Sequence, residues 1–191
     1  TKLKAASALF QMDKEITVPL LKQYMTSRPT SQEDYRPYAA LVLGFIGAPA
    51  YFPLVKTLQE EIQGKPGPRF LPSYLQKQYA FTTTKAIALF GTQEAFRLSK
   101  KLYLHPKWRV RVGGSFKYIF TYFHFPEAES FILYQLLCTR RQHYHSSWLR
   151  VLSSIKTPTV KAQMNEILQV LQGRKHPGFF KRVCKKDNPL A

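Results

Sequence analysis

The chain has 191 residues, of which 45% are hydrophobic and 14% aromatic, and its formal charge is +18. This composition predicts a packed core and excludes an intrinsically disordered chain. No apolar run approaches the roughly 20 residues of a membrane-spanning helix, and charges interrupt residues 1–20, so that segment lacks the pattern of a signal peptide. The first residue is Thr1 and not Met, and we expect a fragment of a longer protein.

The positive charge is concentrated in the second half of the chain. Residues 1–95 contain 11 Lys and Arg against 7 Asp and Glu, whereas residues 96–191 contain 18 against 4. Such a half-chain is expected to attract polyanions, which include nucleic acid, an anionic membrane surface and an acidic protein. The alternative is a basic, solvated surface that has no polyanionic partner.

A repeat is visible from the beginning of the chain, where residues 2–24 and 36–58 match at a shift of 34 residues. Small and large apolar residues coincide without a gap. The matched pairs are Ala5 and Ala39, Ala6 and Ala40, Leu9 and Leu43, Met12 and Ile46, Pro19 and Pro53, and Leu20 and Leu54. Self-similarity at such a period is typical of helical repeat proteins.

Three less regular copies follow at residues 85–102, 115–137 and 148–171. In each copy an apolar helical pattern leads through a short turn into a second amphipathic stretch. Short turns make antiparallel helix pairs, and such pairs bury their apolar faces only when they stack. We therefore predict an all-α chain, an α-solenoid of about five antiparallel helix pairs over residues 1–172, with a basic tail at 173–191.

The glycines of the second copy predict where its first helix ends. Gly47 is expected in the left-handed conformation that closes a helix, and Gly91 takes its place in the third copy. Pro49 is expected to open the next helix, where its missing N–H is tolerated. Gly44 lies inside the helix, where a glycine is unfavourable by up to ~1 kcal/mol relative to alanine.

The stretch from residue 35 to 47 resembles the signature of HEAT repeats of the bacterial, bilin-lyase-like subfamily. The matching residues are Tyr35, Arg36, Ala39, Ala40, Leu43, Gly44, Ile46 and Gly47. The resemblance extends over most of residues 1–171, although only the second copy matches well. It implies a scaffold or adaptor, and it implies that Arg36 is a structural residue that contacts the adjacent repeat.

Two basic clusters, within residues 97–117 and 139–150, contain the candidate residues for binding a polyanion or another partner. They are Arg97, Lys101, Lys107, Trp108, Arg109, Arg111, Arg140, Arg141 and Arg150. Inter-repeat turns align along one side of a solenoid, so the two clusters are expected to form one basic stripe. Arginine binds phosphate in a bidentate manner, and Trp108 could stack on a base. The alternative is a solvated edge that Trp108 covers as a hydrophobic residue.

The sequence contains no motif of catalysis. A phosphate-binding glycine loop, HExxH and GxSxG are all missing from the sequence, and we expect no enzyme activity, metal or cofactor. Cys138 and Cys184 could pair, but without a spacing motif they fit a reducing compartment equally well, and we expect a cytoplasmic protein.

These patterns favour a non-catalytic HEAT-type scaffold. It would bind a macromolecular partner, most simply another protein, through its concave face and its basic C-terminal half. The alternative is a nucleic-acid-binding or DNA-repair protein of the same architecture, similar to the alkylpurine DNA glycosylases that are built from HEAT-like repeats. The likeness to those glycosylases is one of composition, since no catalytic Asp can be assigned.

Overall fold

The computed structural model describes residues 14–27, 34–64, 73–105, 114–137, 145–155, 157–158, 160 and 166–169. Within these ranges all regular secondary structure is helical and there is no strand, which confirms the predicted all-α class. The α-helices are α1 (Lys14–Thr26), α2 (Arg36–Ile46), α3 (Phe52–Gly64), α4 (Ser73–Ala88), α5 (Gln93–Leu104), α6 (Pro126–Leu137) and α7 (His145–Ser154). Two 3-10 helices cover Pro49–Tyr51 and Gly114–Tyr122. No helix in this part of the chain is long and apolar enough to cross a bilayer.

The chain divides into two compact units, Thr1–Ile119 and Phe120–Ala191. The first unit contains α1 to α5, and the second contains α6 and α7. The tail predicted at 173–191 lies outside the described residues.

Helix α2 is the centre of the first unit, because it packs against α1, α3 and α4 and most extensively against α4. Its residues Ala39, Ala40 and Leu43 are buried, as their match to the first copy predicted. Ile46, at the end of the helix, is only partly buried. The small side chains let neighbouring helices approach, and the large one fills the space between them.

Helices α2 and α4 run in the same direction. Near their beginnings Gln78 donates a hydrogen bond to the hydroxyl of Tyr38 at 2.6 Å, across 40 residues of sequence. Near their ends Gly44 lies against the backbone of Ala86. Because early residues meet early residues and late residues meet late ones, the two helices are parallel, as expected when the first helices of successive pairs pack side by side.

The turns after α2 and α4 have the predicted glycine geometry. Gly47 has a φ of 68° and donates its N–H to the carbonyl of Leu43, and Gly91 has a φ of 64°. Pro49 opens a 3-10 helix that runs into α3, as its position predicted. After the second turn, the side chain of Thr92 caps α5 by accepting the N–H of Ala95. Both turns therefore join the two helices of a pair.

Two predicted copies differ from the structure. The third copy was predicted at 85–102, but its first helix begins at Ser73. The apolar pattern of α4 starts well before the residues that match the earlier copies. The fourth copy begins with the 3-10 helix Gly114–Tyr122 and not with an α-helix. A 3-10 run of this length is uncommon, since its hydrogen bonds have poorer geometry than those of an α-helix.

Aromatic side chains form the core of the second unit. Phe120 lies 5.0 Å from Phe131 and 5.9 Å from Trp148, measured between ring centroids. Phe131 and Trp148 meet edge to face at 6.3 Å, which is a favoured aromatic geometry. Trp148 is buried, so its ring belongs to the core between α6 and α7.

Candidate binding surface

Helices α1, α3 and α5 of the first unit each expose side chains to solvent. Helices α3 and α5 are the second members of their pairs, and α1 takes the same place in the first copy, where Pro19 matches Pro53. We call the exposed residues of α1, α3 and α5 the second-helix surface. Side chains bridge neighbouring segments along it: the Nζ of Lys22 on α1 lies 4.9 Å from the ring centroid of Tyr51, the last residue of the 3-10 helix that precedes α3. The Nζ of Lys56 on α3 donates to Oε1 of Glu94 on α5 at 3.1 Å.

Helix α1 exposes three large apolar side chains among its polar ones. Ile16, Leu20 and Tyr24 are 60%, 57% and 41% exposed, and their spacing of four residues places them on one side of the helix. We call these three residues the α1 stripe. At the shift of 34 residues, Tyr24 matches Leu58, which is only 3% exposed, whereas Leu20 matches the half-buried Leu54 and Ile16 matches the exposed Ala50. Of the three stripe residues, Tyr24 is therefore solvent-accessible where its match in α3 is buried.

The α5 end of the surface is basic. Arg97 and Lys101 are both exposed and lie one turn apart on α5. Between the two ends, α3 exposes Thr57 and Glu60. The second-helix surface is thus mixed: α1 exposes three large apolar side chains beside Glu15 and Lys22, α3 exposes Thr57 and Glu60, and α5 exposes Arg97 and Lys101.

Three of the nine residues that the sequence suggested for binding lie in the described part of the chain. Arg97 and Lys101 are exposed on α5, in the first unit, and Arg150 is exposed on α7, in the second unit. The others, which lie outside the described residues, are Lys107, Trp108, Arg109, Arg111, Arg140 and Arg141. The basic stripe that would join the two clusters stays a prediction.

Arg36 is buried and belongs to a partly buried ion-pair network, not to the exposed surface. Its Nη2 lies 2.7 Å from Oδ2 of Asp34, and its Nη1 lies 3.0 Å from Oε2 of Glu61 on α3. Both carboxylates accept two hydrogen bonds or more from the guanidinium. The hydrogen bond to Asp34 raises the pKa of Arg36 above its ordinary value, burial opposes this, and the hydrogen bond to Glu61 raises it further. Arg36 is therefore a structural residue, and its two ion-pair partners lie just before α2 and on α3, whereas the resemblance implied contact with the adjacent repeat.

The same network ties α4 to the start of α2. The backbone N–H of Asp34 donates to the hydroxyl of Tyr79 on α4 at 3.1 Å. The carboxylate of Asp34 also accepts the N–H of Arg36, one of the N–H groups at a helix start that have no partner within the helix. The carboxylate of Asp34 thus fixes the beginning of α2, which gives it a structural function.

Sequence reasoning did not find the ion pair of Arg36 with Glu61, nor the α1 stripe. The i, i+4, i+8 spacing of the stripe was visible, but the same spacing is typical of a core-facing helix side. Only the burial in the structure separates the two cases.

Among the described residues, no group of three or more His, Cys, Asp or Glu side chains could hold a metal ion. Comparison with models of known protein families finds no match, and neither the search of curated proteins nor that of solved structures finds one.

Proposed function

We propose that the chain is a non-catalytic scaffold, an α-solenoid of HEAT-like helix pairs that binds a macromolecular partner. The parallel packing of α2 and α4 supports this architecture, as do the side-chain bridges that link α1 to the 3-10 helix before α3, and α3 to α5. Stacked pairs of this kind leave one side of the second helices free as an extended surface. We take this second-helix surface as the concave face and as the first part of the binding site.

The mixed character of the second-helix surface carries the proposal. Its α1 stripe offers apolar contact, and Arg97 and Lys101 offer charge. Protein interfaces combine apolar anchors with a polar rim, whereas a nucleic-acid track is basic along its length. A protein partner therefore fits this surface better than a nucleic acid does. The basic C-terminal half would add electrostatic attraction to an acidic partner.

Photo-crosslinking inside cells that express the chain naturally tests the proposal. A photo-reactive amino acid replaces Thr57, in the middle of the second-helix surface, or Lys77, which is exposed on α4. We expect crosslinked bands that protease removes and nuclease leaves intact, concentrated on position 57. Equal bands at both positions, or none at either, would show that the second-helix surface is not the binding site.

A nucleic-acid-binding role remains the second candidate, because Arg97 and Lys101 are exposed on one side of α5 and the net charge is +18. Binding of this kind should weaken steeply as salt increases, in proportion to the number of phosphates contacted. Titration of a fluorescent duplex and of a single strand over a range of salt concentrations tests it. Nuclease-sensitive crosslinks at position 57 would favour this role over the scaffold.

A further inference from the structure

The packed pair α2 and α4 carries exposed side chains that meet in a regular register. Gln78 of α4 donates to the hydroxyl of Tyr38 of α2 at 2.6 Å, and the Nζ of Lys85 lies 6.0 Å from the ring centroid of Phe45. In both contacts the partners are 40 residues apart, and seven residues, about two helical turns, separate one contact from the other. The two contacts therefore lie along the same side of the helix pair.

This side continues along α4. Lys77, Phe81 and Lys85 follow one another at intervals of four residues, which places them in a row on the helix. Phe45 is the most exposed of the rings, at 58%. We define the first-helix surface as six residues that are all exposed or half-buried, namely Tyr38, Phe45, Lys77, Gln78, Phe81 and Lys85. It presents three aromatic rings and two ammonium groups.

The first-helix surface has no carboxylate of its own to oppose its two lysines. Neither α2 nor α4 contains an Asp or a Glu, and Asp34, which precedes α2, is paired with Arg36. The second-helix surface differs, because Glu15, Glu60 and Glu94 are exposed there. The first-helix surface therefore favours an anionic ligand, and the net charge of +18 adds attraction at longer range.

Among anionic macromolecules, a single-stranded nucleic acid matches the combination of rings and cations. Its bases have open faces that stack on aromatic side chains, and its phosphates pair with lysines. A duplex keeps those faces inside its own stack and offers mainly phosphates. An anionic membrane requires an apolar helix side that enters the lipid, whereas the first-helix surface has lysines and an amide among its rings.

We propose that the first-helix surface binds single-stranded nucleic acid, with bases stacked on Phe45 and Phe81 and phosphates paired with Lys77 and Lys85. At 6.0 Å from Phe45, the ammonium of Lys85 is at the limit of a cation–π contact and loses little when it turns to a phosphate. Stacking tolerates every base, and phosphate contacts carry no sequence information. The site is therefore selective for unpaired strands and indifferent to their sequence.

Fluorescence anisotropy of the full chain with labelled DNA strands tests the proposal. An oligothymidylate of about 12 nucleotides, within the usual range of single-strand sites, is compared with an abasic strand of the same length and with a duplex. We expect the oligothymidylate to bind about tenfold more tightly than the abasic strand, because both have the phosphates but only one has bases to stack. This comparison uses the unaltered chain and needs no variant.

Two double variants then separate the rings from the charges. Phe45→Leu with Phe81→Leu removes two rings and keeps apolar side chains. It should weaken oligothymidylate binding about tenfold and leave the abasic strand and the duplex within about twofold. Lys77→Gln with Lys85→Gln should weaken both single strands alike. It should also reduce the slope of log affinity against log salt by about 1.4, since each phosphate contact on a single strand contributes ~0.7.

Each variant has a matched control on the second-helix surface. Tyr24→Leu removes an exposed ring from α1, and Arg97→Gln with Lys101→Gln removes two exposed charges from α5. We expect the first control to leave oligothymidylate binding within about twofold, and the second to leave the salt slope unchanged. Equal thermal unfolding of all variants verifies that they fold.

Three outcomes would overturn the proposal. They are equal affinity for the oligothymidylate and the abasic strand, equal effects of the ring variant and Tyr24→Leu, and no strand binding at low salt. Strand binding lost only in the variant of Arg97 and Lys101 would assign it to α5, and phosphatidylserine vesicles released by the ring variant would indicate a membrane surface instead.

The proposal is independent of the protein partner proposed for the second-helix surface. Crosslinks at position 57 test that partner through bands that nuclease leaves intact. A photo-reactive residue at position 77 should instead give bands that nuclease removes, because Lys77 belongs to the first-helix surface. The two surfaces are therefore judged by separate readouts.

Discussion

Gly44 of α2 lies directly against the backbone of Ala86 on α4. A Cβ atom added at Gly44 would lie 2.5 Å from the carbonyl oxygen of Ala86 and 3.2 Å from its Cα. The obstructing atoms are backbone, so they cannot rotate away as a side chain can. The absence of a side chain at residue 44 thus lets α2 and α4 lie close together, and the buried residues around them pack accordingly.

Gly44→Ala is therefore expected to destabilise the chain, although alanine is favoured over glycine inside a helix by up to ~1 kcal/mol. Separating two packed helices costs about 1–3 kcal/mol, which exceeds the gain in helix propensity. We expect the free energy of unfolding to fall by about 1–2 kcal/mol in urea denaturation. Gln23→Ala, at an exposed position of α1, serves as the control and should have little effect. A more stable Gly44→Ala variant would show that α2 and α4 are farther apart.

Gly47 is required for its backbone conformation and not for space. A Cβ added there would meet no atom nearer than 3.9 Å, but its φ of 68° is left-handed. Gly47→Ala should lower the free energy of unfolding by roughly 1–2 kcal/mol, as left-handed backbone costs other residues. Gly47→Asn should lose less, since asparagine tolerates this conformation better. Equal loss for both variants, measured by thermal unfolding, would point to a cause other than backbone strain.

Several features of the fold could be predicted because short-range chemistry determines them. The left-handed glycines at 47 and 91, the proline at 49 and the burial of Ala40 and Leu43 follow from local patterns, and the structure confirms them. The start of α4 could not be predicted from the repeat, because residues 73–84 do not match the earlier copies. The structure has a helix there although the sequence no longer resembles those copies.

The candidate site was less predictable than the fold, because exposure depends on which helices are neighbours. Arg97 and Lys101 were identified from their charge, which a folded chain rarely buries. The α1 stripe reads in the sequence as a core-facing pattern, and its exposure depends on where the surrounding helices lie. The partner of Arg36 was equally hidden, since Glu61 is 25 residues away and only the packing of α3 on α2 brings it near.

Arg36→Met should destabilise the first unit strongly. It leaves the carboxylates of Asp34 and Glu61 close together without their shared cation, while the side chains of Arg36 and Asp34 are only 10% and 15% exposed. Breaking a buried ion pair costs about 3–5 kcal/mol, and the partial exposure of Glu61 reduces the expected loss to about 2–4 kcal/mol. Arg36→Lys should recover only part of it, because lysine cannot bind two carboxylates in a bidentate manner. Urea denaturation measures both variants, and full recovery with lysine would contradict the network as described.

Substitution of Gln59 should raise the free energy of unfolding, whereas substitution of Arg36 should lower it. Its side chain is fully buried on α3, and in the described structure neither amide atom has a hydrogen-bond partner. A buried polar group without a partner costs about 1–3 kcal/mol, so Gln59→Met, which preserves length and removes the amide, should stabilise the chain by about 1–2 kcal/mol. Gln23→Met at an exposed position is the control. A loss of stability in Gln59→Met would mean that the amide makes hydrogen bonds in solution.

Because of Lys117, the free energy of unfolding should change with pH in the alkaline range. It is 8% exposed, and burial lowers the pKa of its ammonium group, an effect that the nearby Tyr118 partly opposes. Below the lowered pKa the amine is protonated in both the folded and the unfolded chain, and the unfavourable burial of the charge is fully present. Between that pKa and the ordinary value of 10.5 the folded chain has already released the proton, so the unfolded state binds more protons and stability rises with pH.

Lys117→Met should therefore stabilise the chain at pH 7, and this gain should shrink as the pH approaches 10.5. Thermal unfolding of both forms at several pH values measures the difference, and a gain that does not change with pH would assign the effect to packing instead of charge.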